Sequence, residues 1–287
     1  MNNNSKALIT SVSNKFFPSL LNLIGSIKQN YPNHPHIFIY DLGLNFLFKK
    51  QIKKIKNVSI IEIPHFVSFW RSCYTWKTYI INTPLADLNF YLDAGCQILK
   101  PLDEVFEKIE KNDYLLVSQG SVVTIQNITP KDYLKLFDIK KEKETNEIIA
   151  AGIFGFKKDS QQIKTVTEKL YQAGLNGLCL GFSPTEQWKN KGVNKNDFIR
   201  DCKMFRHDTT LLTLLIIKYL ENPIIENIEK YSGEKTGNSN QILWNLRMNY
   251  KKLEYANFLK LTLLVKIFLF LFLKAKTINR LIKFRKI

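Results

Sequence analysis

The sequence predicts an α/β fold: a mostly parallel central sheet flanked by helices, followed by a basic, apolar, helical C-terminal tail. Short apolar runs alternate with stretches of helical periodicity from Ala7 to Leu220, which is typical of βαβ units. The 287 residues are 45% hydrophobic, enough for one large core or two modest ones. The residues from Lys251 to Ile287 differ, because they include ten Lys or Arg and one acid. We therefore expect a main domain at 1–250, with halves 1–118 and 119–250, and a tail at 251–287.

Runs of apolar, β-branched and aromatic residues bounded by turn residues predict the strands. In chain order these are Ala7–Ser11, His36–Tyr40, Val58–Ile63, Phe90–Leu92, Tyr114–Ser118 and Ile148–Phe156. Apolar residues at helical spacing predict the helices. These are Phe16–Ile27, Lys49–Lys56, Trp76–Thr83, Leu102–Ile109, Ile163–Ala173 and Thr209–Leu220. The segment Phe182–Asp201 has little periodicity, so we expect a mobile loop there.

The charge balance restricts the class of partner. The net charge of +17 and the sequence pI of about 9.6 favour anionic partners: phosphates, nucleic acid or an acidic membrane. Four cysteines are widely separated and form no Cys-x-x-Cys pair, which argues against a zinc ribbon or a disulfide framework. The first ten residues lack the pattern of a signal peptide. Together these features predict a cytoplasmic protein with reduced thiols.

One motif carries most of the functional information. The apolar run Phe90–Leu92 stops at Asp93, and Ala94 and Gly95 follow as an unhindered turn. A carboxylate at the carboxyl end of a strand in an open α/β sheet faces the crevice where such sheets bind ligands. The alternative is ordinary turn chemistry, in which Asp bonds its own backbone and Gly accepts a positive φ. The segment alone leaves both readings open.

A second motif, Arg206-His207-Asp208, precedes the apolar helix predicted to begin at Thr209. Asp208 suits the N-cap position, where its carboxylate accepts hydrogen bonds from the first turn. His207 titrates near neutral pH and can act as a base or as a ligand. Capping and catalysis are both open at this point.

Basic side chains elsewhere are candidates for phosphate recognition. Lys77 and Arg71 precede the Asp93 strand and can neutralise phosphate charge, the alternative being a solvated helix face. The segment Tyr231–Gly237 offers backbone N–H groups and Lys235 to a pyrophosphate. Aromatic residues beside Lys77 can stack on a base, although such a cluster more often belongs to a core. They are Trp70, Tyr74 and Trp76.

Four segments, taken together and in order, resemble bacterial GT-A-type glycosyltransferases, the nucleotide-diphospho-sugar transferase class. The resemblance is to a capsule- and lipopolysaccharide-associated branch related to glycosyltransferase family 8, and it covers the chain from Ala7 to Leu220. The segments are Trp76-Lys77-x-Tyr79-Ile80-Ile81, Tyr91-Leu92-Asp93-Ala94-Gly95-Cys96, Ala151-Gly152-Ile153-Phe154-Gly155-Phe156 and Arg206-His207-Asp208. The resemblance implies a GT-A fold, with a nucleotide-sugar half at 1–118 and an acceptor half at 119–250.

The resemblance also implies roles for residues. Asp93 matches the first acid of the family's Asp-x-Asp signature, which contacts the ribose and a divalent cation, Mn²⁺ or Mg²⁺. Gly95 stands where the usual pattern has a second, metal-binding acid, so metal binding rests on Asp93. Asp208 is expected beside the sugar, with His207 as its catalytic partner. The remaining residues expected to bind the nucleotide-sugar are Ala94, Gly95, Lys77, Arg71, Ala151, Gly152, Arg206 and Lys235.

The implied activity is transfer of a sugar from an NDP-sugar, expected to be a UDP-sugar, to a saccharide or lipid-linked acceptor in surface-glycan biosynthesis. The glycine in place of the second acid leaves open a non-catalytic GT-A-like partner protein that docks on a membrane. The charge of +17 raises a third class, a nucleic-acid-binding protein. Against that class, over half of the charge lies in an apolar tail, and no nucleic-acid-binding motif is recognisable.

The tail includes an apolar stretch, Phe258–Leu273. As a helix of sixteen residues it would be about 24 Å long, short of the ~30 Å hydrocarbon core of a bilayer. Lys266 would fall near mid-span. We therefore expect a helix that lies in the anionic inner leaflet and makes the protein peripheral to the cytoplasmic membrane. The alternative is a terminal helix packed on the sheet domain.

Overall fold

A computed structural model describes residues 5–120, 123–181, 202, 204–231, 240–245 and 254–271. The chain divides into two compact units, each made of three pieces of sequence. The first unit contains residues 1–9, 63–92 and 103–232, and the second contains residues 10–62, 93–102 and 233–287. The division differs from the predicted halves at 1–118 and 119–250, which stay a prediction about function.

The described residues form a seven-stranded sheet and a small two-stranded sheet. The strands are β1 Lys6–Val12, β2 His36–Asp41, β3 Val58–Glu62, β4 Leu88–Leu92, β5 Cys96–Ile98, β6 Tyr114–Ser118, β7 Ile149–Lys157, β8 Ile225–Glu226 and β9 Leu243–Asn245. The large sheet has the order β3-β2-β1-β4-β7-β6-β8. The pairs β1–β4, β2–β3 and β6–β8 are parallel, and β7 runs antiparallel to β4 and β6. The predicted mostly parallel α/β sheet is confirmed.

Helices flank the strands in the predicted alternation. They are α1 Phe17–Asn30, α2 Phe46–Ile52, α3 Thr75–Ile81, α4 Asp103–Asn112, α5 Ile125–Ile128, α6 Lys131–Leu136, α7 Gln161–Leu175, α8 Asp208–Tyr219, α9 Ile228–Tyr231 and α10 at 263–271. The prediction of a helix at Lys49–Lys56 was displaced toward the C-terminus. The helix begins earlier because the side chain of Asn45 caps it, accepting from the amide of Phe48 at 2.9 Å.

The inner strands of the first unit read as continuous apolar runs because they are buried on both faces. Every residue of β4 and of β6 is buried. Asn89 carries the one side-chain amide of β4, and the turn before the strand supplies its hydrogen-bond partners. Its Nδ2 donates to the Ala86 carbonyl at 2.7 Å, and its Oδ1 accepts from the Leu85 amide at 2.8 Å. The strand therefore begins at a fixed place.

In the second unit, the C-terminal segment packs against α1. The buried side chain of Asn22 donates to Gln97 Oε1 at 3.1 Å and accepts from the Tyr255 amide at 3.0 Å. One turn further along α1, a Cβ added to Gly25 would lie 1.9 Å from the carbonyl oxygen of Tyr255. Only glycine allows the 3-10 helix Glu254–Phe258 to lie this close to α1.

The tail helix α10 begins at residue 263 and not at the predicted Phe258, and its described part is packed on one side only. Val265 and Leu269 are buried, and the ring of Phe268 lies 4.9 Å from that of Phe48. The Gln51 amide bonds the chain just before α10, with its Nε2 donating to the Lys260 carbonyl and its Oε1 accepting from the Thr262 amide. Within the described part of the chain, no helix has the length and apolar character needed to cross a membrane.

Candidate active site

The first unit contains a buried ion pair. Lys77 Nζ is 2.7 Å from Asp208 Oδ2, and the two side chains are only 3% and 8% exposed. Lys77 belongs to α3 and Asp208 is the first residue of α8. Burying a charge without a partner is expensive, so each of these groups requires the other. Lys77 is therefore not on a solvated helix face, which was the alternative that the sequence left open.

Two aromatic rings complete the surroundings of the ammonium group. Lys77 Nζ lies 5.4 Å from the ring centroid of Tyr74 and 5.3 Å from that of Tyr91 on β4. Ring faces carry negative potential, so both contacts favour the charged form of the lysine. Tyr91 is buried, whereas Tyr74 is exposed. The lysine is therefore held from several sides.

Asp208 does not cap α8, so the capping interpretation of this residue was wrong. The N-cap position is occupied by His207, which makes no capping hydrogen bond with its side chain. Asp208 lies inside the first turn, where the partial positive charge of the helix end stabilises a carboxylate. Its side chain turns to Lys77 because the ion pair offers a full positive charge in a site that excludes water.

His207 is held in a fixed orientation. Its Nδ1 lies 2.8 Å from the carbonyl oxygen of Cys179, and the imidazole is also hydrogen-bonded to the thiol of Cys73. The ring of Phe205 packs edge-on at 5.1 Å. Burial alone would lower the pKa of His207, but the bonds to Cys73 and Cys179 and the nearby charge of Asp208 more than offset it. The pKa of His207 is therefore raised above its ordinary value.

The backbone around this site is strained. Cys73, Tyr74 and His207 have φ of 51°, 62° and 49°, in the left-handed region that non-glycine residues rarely adopt. Each such residue costs on the order of 1–3 kcal/mol and persists only where the surrounding structure enforces it. These three residues meet beside the buried ion pair: the ring centroids of Tyr74 and His207 are 6.0 Å apart. Strained residues clustered around buried charges are typical of functional sites.

Arg206 reaches a polar group at the end of β6. Its guanidinium donates to the side-chain oxygen of Gln119, the residue after β6. Its backbone amide donates to Thr210 Oγ1 at 3.1 Å, which fixes the start of α8. The neighbouring Ser118 hydroxyl bonds Glu147. The C-terminal end of β6 thus places polar side chains near the N-terminus of α8, the helix that carries Asp208.

The small residues of β7 lie where the ladder to β6 is irregular. The register between these strands shifts between Leu116 and Ser118. Ala151 is buried and Gly152 is half-buried within this irregular stretch. The pairing of β7 with β4 ends at Ile153 opposite Leu92, so both small residues lie beyond the paired part of β4. Their role in admitting a sugar stays a prediction.

Asp93 follows β4 directly and belongs to the second unit. The turn predicted here is present, and the backbone makes it: the Cys96 amide donates to the Asp93 carbonyl at 2.9 Å. Asp93 is half-buried, Ala94 is buried, and β5 begins at Cys96. The bond that closes this turn joins two backbone groups and does not involve the Asp93 carboxylate. Its role toward a ligand stays a prediction.

The other predicted site residues include one exposed arginine, one aromatic residue near the ion pair and one lysine that is not described. Arg71 is exposed, with its guanidinium 4.6 Å from the ring centroid of the buried Trp70. Trp76 is half-buried beside Tyr74. Lys235 and the loop Phe182–Asp201 lie outside the described residues. The structure therefore brings together Lys77, His207 and Asp208 from the predicted set.

Sequence reasoning missed the residues that hold His207. Cys73 and Cys179 entered only as cysteines without a paired motif, because a hydrogen bond between distant residues leaves no local pattern. Gln119 was missed for the same reason. The described residues contain no group of three His, Cys, Asp or Glu side chains able to hold a metal ion.

The fold is shared with known glycosyltransferases. No protein-family model and no curated protein sequence matches the chain. Solved structures do match, including the galactosyltransferase LgtC in complex with donor and acceptor sugar analogs, at a TM-score of 0.52 and 10% identity over 89% of this chain and 97% of that one. The chain therefore has the GT-A glycosyltransferase fold that the resemblance implied.

Two further solved structures of glycosyltransferases match the fold of this chain. The bifunctional glycosyltransferase WbbM gives a TM-score of 0.50 and 15% identity over 89% of this chain and 44% of that one. The glycosyltransferase GlyE of Streptococcus pneumoniae TIGR4 gives 0.50 and 11% identity over 88% of this chain and 60% of that one. This chain thus spans about half of these longer proteins. At such identities the likeness concerns the fold.

Proposed function

We propose that this protein is a glycosyltransferase that transfers a sugar from an NDP-sugar, in the first instance a UDP-sugar, to a saccharide or lipid-linked acceptor. The observation that supports it is the buried Lys77–Asp208 pair, with His207 beside it, in a GT-A fold. Membership of the bacterial branch related to family 8, and a role in lipopolysaccharide or capsule biosynthesis, are parts of the same proposal. They rest on the ordered motifs of the sequence.

In this proposal the ion pair positions a carboxylate for the sugar. Lys77 binds one oxygen of Asp208 and so limits the movement of the carboxylate. Positioned dipoles and charges in a site that excludes water contribute most of the stabilisation of a transition state. His207, with its raised pKa, carries a proton at neutral pH more often than a free imidazole does. Its ring is already bonded to the Cys179 carbonyl and to the Cys73 thiol, so it acts through its positive charge, which stabilises the leaving diphosphate, and Arg206 serves as a phosphate contact.

The described residues do not form a resident metal site. A divalent cation, Mn²⁺ or Mg²⁺, therefore enters the proposal only as a companion of the donor, bound by its diphosphate oxygens and by Asp93. Both ions accept substrate phosphates and water as most of their ligands. Titration with EDTA during turnover tests this. We expect activity to fall, whereas full activity in excess EDTA would assign charge neutralisation to Lys77, Arg206 or Lys235.

A panel of nucleotide-sugars tests the function itself. One NDP-sugar at about 100 times its Kd should stabilise the protein by about 2.7 kcal/mol, and release of the nucleoside diphosphate should require an acceptor. Asp208→Asn should abolish release. The matched control is Asp113→Asn, which removes the carboxylate of a partly exposed ion pair with Lys157 and should leave release unchanged.

The outcomes of the panel separate the alternatives. Stabilisation by one NDP-sugar without turnover, across saccharide and lipid-linked acceptors, would indicate the non-catalytic partner protein. Absence of stabilisation by every NDP-sugar, with salt-dependent retention on DNA, would indicate the nucleic-acid-binding class. Only the proposed function combines specific stabilisation with release that depends on Asp208.

We propose in addition that α10 docks on an anionic membrane surface, which makes the protein cytoplasmic and peripheral to the cytoplasmic membrane. Its packed side is Val265 and Leu269, while Leu263 and Leu264 are 72% and 62% exposed. Ile267, Phe270 and Leu271 are also exposed. An apolar face beside a strongly basic segment matches the boundary between headgroups and acyl chains. Each Lys or Arg near such a surface contributes about 1 kcal/mol.

Vesicle sedimentation tests this docking. The double variant Leu263→Gln with Leu264→Gln should lose most binding to vesicles that contain phosphatidylserine, and binding should weaken with salt. Leu136→Gln is the control, because Leu136 is an exposed apolar residue on α6 outside the tail. Equal binding of all three proteins, or equal binding to neutral vesicles, would contradict the proposal.

A further inference from the structure

The most exposed large apolar side chain of the described residues lies outside the tail, on α2. The ring of Phe46 is 80% exposed, more than any apolar side chain described on α10. Phe46 is the first residue of α2, and the cap that Asn45 provides fixes the helix end that carries it. A single exposed apolar residue is common on protein surfaces, so its surroundings decide what it indicates.

The surroundings of Phe46 are strongly basic. From Leu42 to Ile61 the chain contains five lysines and no acid. Lys49 is neutralised by the buried carboxylate of Asp41, 2.5 Å away at the end of β2. Three others are exposed and, among the residues that the structure describes, have no ion-pair partner. These three α2 lysines are Lys50, Lys53 and Lys54.

The helical repeat places the ring and the positive charges together. Phe46, Lys50 and Lys53 follow one another at spacings of four and three residues, which puts them on one face of the helix and its last turn. Lys50 Nζ lies 6.0 Å from the centroid of the Phe46 ring. The opposite face of α2 is buried and carries Phe48 and Gln51. The outer face of α2 is therefore an apolar ring bordered by unpaired ammonium groups.

The buried face of α2 contacts the tail segment that contains α10. The ring of Phe48 lies 4.9 Å from that of Phe268 on α10. Gln51 donates to the Lys260 carbonyl at 3.2 Å and accepts from the Thr262 amide at 2.9 Å, immediately before α10 begins. All of these residues belong to the second unit. The outer faces of α2 and α10 therefore belong to neighbouring elements whose positions are fixed relative to each other.

We propose that α2 is a second contact with the anionic membrane surface. The Phe46 ring enters the headgroup region, and the three α2 lysines bind the anionic groups of the lipids. A bilayer fits both features, because its phosphates lie directly above its acyl chains. This proposal rests on the membrane docking of α10 proposed above and extends it. Two contacts held at a fixed spacing strengthen each other and fix the orientation of the protein on the membrane, which a single helix does not.

Sedimentation of the full-length protein with vesicles of phosphatidylcholine and phosphatidylserine tests the charges. The triple variant Lys50→Gln, Lys53→Gln, Lys54→Gln should bind about a hundredfold more weakly, because three positive charges leave the surface. The matched control removes the same charge from three exposed lysines of the first unit. It should bind as the unaltered protein does, since the proposal assigns that unit no contact. The control substitutions are Lys135→Gln, Lys140→Gln and Lys141→Gln.

Fluorescence tests the insertion of the ring. On vesicles that contain brominated phosphatidylcholine, Phe46→Trp should show emission that is quenched, measured as the difference from the unaltered protein with its four tryptophans. Leu136→Trp is the control and should not be quenched, because Leu136 is an exposed apolar residue of the first unit. Phe46→Gln should bind about tenfold more weakly, through loss of the buried ring. Its transfer to a soluble saccharide acceptor should be unchanged.

The outcomes separate this proposal from those on which it rests. Normal binding by Phe46→Gln and by the α2 triple variant would overturn the contact, and loss in the Leu263→Gln, Leu264→Gln double variant would then leave α10 as the docking element. Equal loss in both triple variants would also overturn it, since the effect would be one of net charge. Absence of vesicle binding by the unaltered protein would contradict the contacts of both helices. Sugar transfer is measured without vesicles and fails or succeeds independently.

Discussion

At the scale of single residues, the Lys77–Asp208 pair places opposite charges where water hardly reaches them. Removing one partner of a buried pair typically costs 3–5 kcal/mol, because the other charge is left without compensation. Replacing both with apolar groups is often neutral. This asymmetry makes it possible to separate the structural contribution of the pair from its proposed role in catalysis.

The first prediction uses this asymmetry. Lys77→Met should lower the free energy of unfolding by about 3–5 kcal/mol, and adding Asp208→Leu should recover much of the loss. Transfer should stay absent in the double variant, because no carboxylate is present. Urea unfolding and turnover, measured on both single variants and the double, check it. Recovery of turnover together with stability would mean that the pair is structural only.

The second prediction concerns the pH dependence that His207 confers. Its pKa is raised in the folded state, so its contribution to stability is complete below about pH 6.5 and is lost as pH rises through the folded-state pKa. Between pH 6 and 9 the unaltered protein should therefore lose more stability than His207→Asn does. Urea unfolding across this range measures the difference. Parallel curves would contradict the raised pKa.

The third prediction concerns Asp93. Asp93→Asn should abolish transfer and leave the melting temperature nearly unchanged, because the turn is held by the backbone bond to Cys96. Product release and thermal unfolding measure the two effects. Full turnover by a well-folded variant would remove Asp93 from the site.

The sequence identified Lys77, His207 and Asp208 through motifs, but it could not show that they meet. Their pairing depends on the packing of α3 against α8, which no local pattern encodes. The left-handed backbone at Cys73 and Tyr74 was equally invisible, because neither residue favours a positive φ. Local reasoning therefore left capping and catalysis open as alternatives for Asp208.

At the scale of elements, close helix packing depends on single glycines. In the first unit, a Cβ added to Gly174 on α7 would lie 2.2 Å from Thr78 Oγ1 on α3. The same α3 carries Lys77, so the fit of these helices also positions the ion pair. A change at Gly174 should therefore act on the proposed site without touching it.

The fourth prediction tests this packing. Gly174→Ala should destabilise the protein by about 1–3 kcal/mol through overpacking. In a Thr78→Ala background the clash with Oγ1 is gone and only the Cβ of residue 78, 3.0 Å away, stays close, so the same substitution should cost clearly less. The higher helix propensity of Ala, about 1 kcal/mol over Gly, acts in the same direction. Urea unfolding of the four proteins measures the coupling. Equal effects in both backgrounds would contradict the close contact.

Most elements were predictable because their periodicity is strong. The strand Tyr114–Ser118 matches its prediction at both ends, and α8 begins one residue before the predicted Thr209. The exceptions have local causes: Asn45 caps α2 early, and the 3-10 helix Glu254–Phe258 precedes α10. An apolar run such as Phe258–Leu273 marks burial, but it does not say where a helix starts.

At the scale of the whole molecule, the tail combines an observed packing contact with a proposed docking face. Residues 254–271 contribute Ala256, Leu259, Val265 and Leu269 to the interior of the second unit. The sequence offered membrane docking and packing as alternatives, and the packed side is now observed. Membrane docking by the other side stays a proposal. The starting residue of a C-terminal deletion therefore decides whether buried side chains are removed together with the basic residues.

The fifth prediction compares two deletions. Removing residues 272–287 should leave the melting temperature nearly unchanged and reduce binding to anionic vesicles, because six of the tail's ten basic residues are lost. Removing residues 251–287 should also lower the melting temperature by several degrees, since buried apolar side chains go with it. Thermal unfolding and sedimentation measure both. An unchanged melting temperature for the longer deletion would contradict the packing on α1.

The contact between Tyr255 and Asn22 joins residues that are 233 positions apart in the chain. During synthesis, α1 emerges long before the segment that covers Gly25, while every piece of the first unit precedes residue 233. Contacts of such long range form late, because a long loop must close first. The first unit can therefore reach its final fold early in synthesis, whereas the second must wait for the segment that contains Tyr255 and is the part that a chaperone would meet unfinished.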